Sequence, residues 1–270
     1  GGSLVSNSGT ISGLLFGAFV TVAEGTRIVN SGTIEGNVAG LGVVTVTGTI
    51  EIVNSGTIRV GSLIPDVDAG ALFTGGGAVE LTNTGTIIGA VGLEGGAGGA
   101  RITNSGLIDG QTALGSGDDR FDGTTGTQGA VFGEDGDDTI IGGVGADVFD
   151  GGLGNDTLKG RAGIDQFWFT TDPNSKTNRD TILDYKQADG DKIVLDRDIF
   201  AGLGNSSKLK AKYFETGKKP ESKNDKIVYN EKNGVLLYAE NGSKTDKADW
   251  VKFAQVDKGT DLDHAGFLLV

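Results

Sequence analysis

The stretch from Leu114 to Trp168 repeats every nine residues, and this period limits the possible folds of the 270-residue chain more than any other feature. It divides into LGSGDDRFD, GTTGTQGAVF, GEDGDDTII, GGVGADVFD, GGLGNDTLK and GRAGIDQFW, the second with one extra residue. Five of the six carry glycine at the fourth position, aspartate at the sixth and a large apolar residue at the eighth. The aspartates are Asp119, Asp138, Asp147, Asp156 and Asp165; the apolar residues are Phe121, Ile140, Phe149, Leu158 and Phe167. The second unit keeps Gly123 and Gly126 but has Gln128 where the aspartate belongs. Six residues so rich in glycine cannot hold a helix; they make a tight turn through positive-φ positions. Three extended residues follow, with the apolar one inward. Stacked turns of this kind leave a thin apolar core and files of mutually repelling carboxylates. A hard cation that takes an all-oxygen, irregular shell offsets both defects, and calcium suits that role better than magnesium.

These units resemble the RTX nonapeptides, the calcium-binding β-roll of secreted bacterial proteins. The resemblance implies a calcium ion between turn n and turn n+2, held by positions two, four and six of one turn and one, three and six of the other. One site then comprises Gly115, Gly117 and Asp119 with Gly133, Asp135 and Asp138. A second comprises Glu134, Gly136 and Asp138 with Gly151, Leu153 and Asp156. A third comprises Gly143, Gly145 and Asp147 with Gly160, Ala162 and Asp165. Only the aspartates act through side chains; the other positions offer carbonyls. The resemblance therefore implies about three or more Ca²⁺ ions, with Gln128 disrupting any site that it would share with Asp147. Asp118, Asp122, Asp137 and Asp150 fall outside the ligand positions and are expected to be solvated charges.

Charge follows the same division. The chain carries −13 overall. Residues 111–168 contribute eleven acids against three bases, while residues 169–270 carry seventeen of each. Calcium neutralises such a stretch, and nucleic acid is disfavoured as a partner. No apolar run is long enough to span a membrane. The absence of cysteine fits an extracellular bacterial protein built without disulfides. With no methionine either, the chain is expected to begin inside a longer protein.

Residues 1–110 repeat a different motif: LVSNSGTISG, RIVNSGTIEG, EIVNSGTIRV, ELTNTGTIIG and RITNSGLIDG, with asparagines at 7, 30, 54, 83 and 104. A period of 21 to 29 residues implies a solenoid. Within each copy alternate positions match, which means strand, with Ile28, Asn30, Gly32 and Ile34 inward and Arg27, Ser31, Thr33 and Glu35 outward. A buried amide needs a partner, and stacked asparagines supply one another in a ladder. This resembles right-handed parallel β-helices. The segment SLIPDVDAG is expected to bulge from one coil. Many β-helices act on polysaccharides through carboxylates and bases clustered on one outer face. The positions after each repeat's last apolar residue (Ser12, Glu35, Arg59, Ile88, Asp109) hold no carboxylate pair on adjacent coils, and Glu24, Glu51 and Arg101 read as isolated.

Residues 169–270 hold most of the aromatic residues and all lysines but Lys159, which marks a module boundary near 168. The segment with Asp180, Ile182, Asp184 and Tyr185, then Gly190, Asp191, Lys192, Ile193 and Leu195, resembles the one that closes RTX β-rolls, and Asp180 or Asp184 is a candidate for a terminal calcium site. KIVYN and VLLYAE around Asn233-Gly234 form an expected hairpin, with a further strand in DWVKFAQV. The ending DLDHAGFLLV resembles the uncleaved signal of type I secretion substrates; the lone His264 lacks a Ser or Cys context for a triad, and Asp172-Pro173 reads as a turn.

The resulting fold class is all-β: a right-handed parallel β-helix solenoid over 1–110, a calcium-binding parallel β-roll over 111–168, and a β-rich C-terminal cap over 169–270. The function expected is that of an extracellular calcium-binding RTX protein, the C-terminal part of a larger secreted surface, adhesive or matrix protein. It would fold on calcium after passing the type I secretion machinery, with a cell-surface or matrix polysaccharide as candidate partner. The competing reading is part of a secreted polysaccharide lyase or epimerase.

Overall fold

A computed structural model describes residues 3–13, 16–36, 39–45, 48–60, 69–94, 98–242 and 250–270. All of SLIPDVDAG but its last two residues lies outside them. Secondary structure is almost entirely strand, and the residues fall into two units, 1–145 and 146–270.

The first unit stacks parallel strands on three faces. Its first face holds Leu4–Asn7, Arg27–Asn30, Ile50–Asn54, Val79–Asn83, Ala100–Asn104, Arg120–Asp122 and Thr139–Ile141. The second face holds Thr10–Gly13, Thr33–Gly36, Thr57–Val60, Thr86–Ile88, Leu107–Asp109 and Thr127–Gln128. The third holds Phe16–Val22, Ala39–Thr45, Ala69–Gly75, Ala90–Glu94, Thr112–Ala113 and Val131–Phe132. The β-helix thus runs directly into the first turns of the roll through continuous strand pairing.

The expected inward set forms the core: Ile28, Ile34, Ile52, Ile58, Leu81, Ile87, Ile102 and Ile108 are buried. The asparagine ladder sits at the corner between the first and second faces. Nδ2 of Asn7, Asn30, Asn54 and Asn83 donates to Oδ1 of the next asparagine at 2.9, 2.8, 2.7 and 2.8 Å. The same amides bond the carbonyls of Gly9, Gly32, Gly56 and Gly85, so the burial penalty of each is met. The corner glycines Gly32, Gly56, Gly85 and Gly106 are forced by stacking on the preceding coil. A Cβ on Gly56 would stand 2.1 Å from the Gly32 carbonyl oxygen.

In the second unit, Val148–Asp150, Gln166–Phe169, Lys192–Leu195 and Phe267–Leu269 pair in parallel. Thr157–Lys159, Asp180–Leu183 and Val251–Gln255 do likewise. Val251–Gln255 then pairs antiparallel with Val235–Tyr238, which forms the expected hairpin with Ile227–Asn230. Gly234 closes the turn at φ 77°, a left-handed value that favours glycine. Aromatic side chains fill the space that the thin roll leaves. Phe167 lies 5.9 Å from Phe149 and 6.2 Å from Tyr185, and Phe253 packs edge-on against Phe169 and Phe200.

Candidate metal centre

The sixth-position aspartates are buried, and the reason is local. In the last two nonapeptides the turn folds its carboxylate back across the first glycine of the same unit. A Cβ on Gly151 would stand 2.2 Å from Asp156 Oδ2, and one on Gly160 would stand 2.1 Å from Asp165 Oδ2. Glycine at position one is therefore a steric requirement in these two turns, whereas the first nonapeptide buries Asp119 with Leu114 at that position.

Within the first unit, the turns of the first expected site meet. Ser116 and Asp135 form a parallel bridge, Gly117 N–H donates to Asp135 O at 2.8 Å, and Asp135 N–H donates to Gly115 O at 3.1 Å. Gly136, at φ 133°, backs onto the Gly117 carbonyl. Asp119 N–H donates to Asp138 Oδ1 at 2.8 Å, and Asp119 Oδ1 accepts from Ala100 N–H. Gly133, Asp119 and Asp138 are buried. Asp119 Oδ2 is enclosed with no hydrogen-bond partner. Burial, aided by the charges of Asp118 and Glu134 and opposed by the Ala100 hydrogen bond, raises the Asp119 pKa to about 6. An ionised carboxylate is thus poorly accommodated here without a countercharge.

The remaining expected ligands are placed within their own units. In the first, Gly143 is buried, Gly145 is half-buried with open space around it, and Glu134 is exposed at φ 74°. In the second, Gly151 and Gly160 are buried, Leu153 and Ala162 turn their side chains outward, and Asp147, Asp156 and Asp165 are buried.

The aspartates form files, each linked through its main-chain N–H to the next carboxylate. Asp147 N–H donates to Asp165 Oδ1 and Asp165 N–H to Asp191 Oδ1, both at 3.0 Å. Asp156 N–H donates to Asp180 Oδ1 at 3.2 Å. Asp180 is deeply buried beside Asp156 and Asp150, and burial first, then those charges, push its pKa well above the usual carboxylate range. Asp165 rises to about 6 through burial, then Asp191, Asp147 and Asp184. The sequence reading missed Asp191 as a member of a file. Its signal was the D-x-U triplet: Asp191 precedes Ile193 as Asp165 precedes Phe167 and Asp180 precedes Ile182.

Two expectations are corrected. Asp150 is not a solvated charge: it is buried, Thr170 Oγ1 donates to its Oδ2 at 2.6 Å, Gly152 N–H donates to its Oδ1, and burial raises its pKa. Asp118 and Asp137 are exposed, as expected, and Asp122 pairs with Arg120 at 2.9 Å. Glu51 and Arg101 are not isolated either. Register aligns Arg27, Glu51, Glu80, Arg101 and Arg120 in one outward file on the first face, with Arg27 Nε 3.0 Å from Glu51. Glu51 and Glu80 are thus carboxylates on adjacent coils. The signal lay at the first position of each repeat rather than the last.

Among the described residues no three His, Cys, Asp or Glu side chains gather at one point. An ion in these turns therefore depends on main-chain carbonyls as well as carboxylates, a donor set that suits a hard, oxygen-loving cation. No described helix is long and apolar enough to cross a membrane.

No curated protein matches the sequence. A solution structure of the AlgE6R3 subunit from the Azotobacter vinelandii mannuronan C5-epimerase is similar over 67% of this chain and 78% of that one, at 20% identity and a TM-score of 0.25, a likeness too slight to carry an argument. The family described as RTX calcium-binding nonapeptide repeat (4 copies) matches residues 132–167, the stretch that supplies Asp138, Asp147, Asp156 and Asp165, so this chain carries RTX calcium-binding repeats.

Proposed function

We propose that the chain is the calcium-binding, structural part of a secreted bacterial surface or adhesive protein, folding on calcium after type I secretion. The observation that carries this reading is the set of buried aspartate files, with Asp119 Oδ2 enclosed and without a hydrogen-bond partner. Gly115, Gly117, Asp119, Gly133, Asp135 and Asp138 would hold a calcium ion in the first unit. In the second, Asp147, Gly160, Ala162 and Asp165 belong to another site, and Asp156, Asp180 and Asp191 to the terminal ones. Bound calcium supplies positive charge and an oxygen-only shell. The residues supply the rest: the glycines let the turns close, and the main-chain N–H groups hold each carboxylate in line. An ion that binds only the folded chain stabilises it by about 2.7 kcal/mol per site at 100 times its Kd.

Secretion before folding is supported by the last segment. Phe267 and Leu269 of DLDHAGFLLV are buried in a strand paired with Lys192–Leu195. That apolar face is open to a secretion machine only before the chain folds. Extracellular calcium, higher than cytoplasmic calcium, then drives folding.

The test is far-UV circular dichroism during calcium titration of the chelator-treated chain. A cooperative gain of β-structure at submillimolar to millimolar calcium is expected. A spectrum unchanged from chelator to excess calcium would falsify the reading.

A second reading is favoured by the outward file Arg27, Glu51, Glu80, Arg101 and Arg120: a face that binds or acts on a polysaccharide. Binding of uronate oligosaccharides by calorimetry, lost in Glu80→Gln with Arg101→Ala, would support it; no heat with any uronate polymer would remove it.

A further inference from the structure

The second unit carries a cleft of about 500 Å³ that shares no residue with the calcium turns. Arg197, Asp198, Asn205 and Tyr213 line it, together with residues 200–204. That loop is set from below. Phe200 is fully buried against Tyr238 and Phe253, Leu203 is buried, and Tyr238 OH donates to Ala201 O at 2.8 Å. Gly202 and Gly204 sit at φ 76° and 86°. A Cβ on Gly202 would stand 3.3 Å from Lys226 Nζ, and one on Gly204 would stand 3.5 Å from the Tyr213 ring. The two glycines therefore keep side chains out of the space beside the phenol and the ammonium.

Charge indicates what this cleft takes. The chain carries −13, yet residues 197–226 hold eight bases against four acids. Three of those bases stand at the cleft, each oriented by a neutral group. Arg197 Nε donates to Val270 O at 2.9 Å, Lys226 Nζ donates to Glu240 O, and Lys212 Nζ lies 4.6 Å from the centre of the Tyr213 ring. Among the described residues none of the three joins an ion pair. The one acid that lines the cleft, Asp198, is exposed. Cations gathered at a concave surface concentrate anions there.

The tyrosines add a second, independent sign. Three of the four donate to main-chain carbonyls: Tyr185 to Asp191 O, Tyr229 to Thr260 O and Tyr238 to Ala201 O. Tyr213, half-buried in the cleft wall, makes no hydrogen bond through its hydroxyl among the described residues. A phenol both donates and accepts, as a sugar hydroxyl does. We propose that this cleft binds an anionic sugar, a uronate or sulfated ring of an extracellular polysaccharide. Arg197, Lys212 and Lys226 meet its negative group, and Tyr213 Oη bonds a ring hydroxyl. A bare inorganic anion would leave the phenol unused, and a neutral sugar would leave the cations unmatched. The site needs only the folded second unit and does not rest on calcium-driven export.

The test is titration calorimetry of the calcium-loaded 270-residue chain with a glucuronate-containing tetrasaccharide and with a sulfated one, each beside its carboxyl-reduced or desulfated counterpart. At least one acidic sugar is expected to bind about tenfold or more tightly than its neutral counterpart, and the one that binds identifies the source of the charge. Arg197→Gln with Lys212→Gln should weaken binding about tenfold. Tyr213→Phe, which keeps the ring, should weaken it about fivefold. Lys219→Gln, an exposed lysine that does not line the cleft, should leave it unchanged. A far-UV spectrum recorded without sugar separates a folding failure from a binding failure, and Tyr213→Phe decides if the double variant does not fold. No heat with either acidic sugar, equal binding of the neutral counterparts or of free sulfate, unchanged affinity in the folded cleft variants, or an equal loss in Lys219→Gln overturns the proposal.

Discussion

Asn104 Nδ2 donates to Gln128 Oε1 over 3.3 Å, joining the last rung of the asparagine ladder to the nonapeptide that lacks an aspartate. Gln128 is in register with Ile108 on the second face, and Thr124 Oγ1 donates to Asn104 O at 2.6 Å, as Ser31 and Ser55 do to Asn7 and Asn30. The second nonapeptide is therefore the coil in which the three-faced helix hands over to the roll. There the Gln128 amide oxygen takes the place of a further asparagine and ends the ladder.

Replacing Gln128 by leucine keeps the bulk and removes the acceptor. Asn104 retains its bond to Thr127 O, so the expected loss is about 1 kcal/mol. Calcium stoichiometry by titration calorimetry should be unchanged.

Asn54→Ala removes a central rung. It leaves Asn83 Oδ1 without its donor, deep in the corner, and takes one acceptor from Asn30, whose amide keeps Gly32 O and Thr57 O. A stranded buried acceptor costs roughly 1–3 kcal/mol, and the bond lost by Asn30 adds about 1 kcal/mol. Chemical denaturation should show a large drop, and Asn7→Ala, at the half-exposed end, a much smaller one.

Asp119→Asn preserves shape while removing the buried charge. The calcium-free chain should become more stable at neutral pH, and calcium should bind at least tenfold more weakly to the first-unit site. Asp137→Asn, on an exposed side chain, should change neither; equal effects of the two substitutions in calorimetry would contradict the site.

Burial raises Asp119 and Asp165 to about 6. The folded chain then holds more protons than the unfolded chain between the ordinary carboxylate pKa and about 6. Its metal-free stability is favoured at low pH and is lost as pH rises through about 6. Melting in chelator should therefore show a midpoint that falls from about pH 4 to 7, with calcium restoring most at neutral pH. A midpoint that climbs over that interval would contradict the buried carboxylates.

Gly151→Ala and Gly145→Ala are a matched pair. The first pushes a methyl group onto Asp156 Oδ2, while the second enters open space. Thermal melts should show a clear loss for the first, in the 1–3 kcal/mol range of overpacking, and a change within about 0.5 kcal/mol for the second.

The sequence by itself determined the strand content, the inward residues, the asparagine ladder and the aspartate turns. These follow from periods of two and nine that are local: a side chain's direction along a strand, and a glycine's freedom in a turn, need no distant partner. Only the tertiary structure decided which residues meet between coils. The repeats are separated by 23, 24, 29 and 21 residues, so register depends on where each coil closes. That is why Gln128, aligned by count with the aspartates, pairs instead with Ile108. It is also why Glu51 and Glu80, distant in sequence, share one file, and why Asp150 lies buried beneath Thr170.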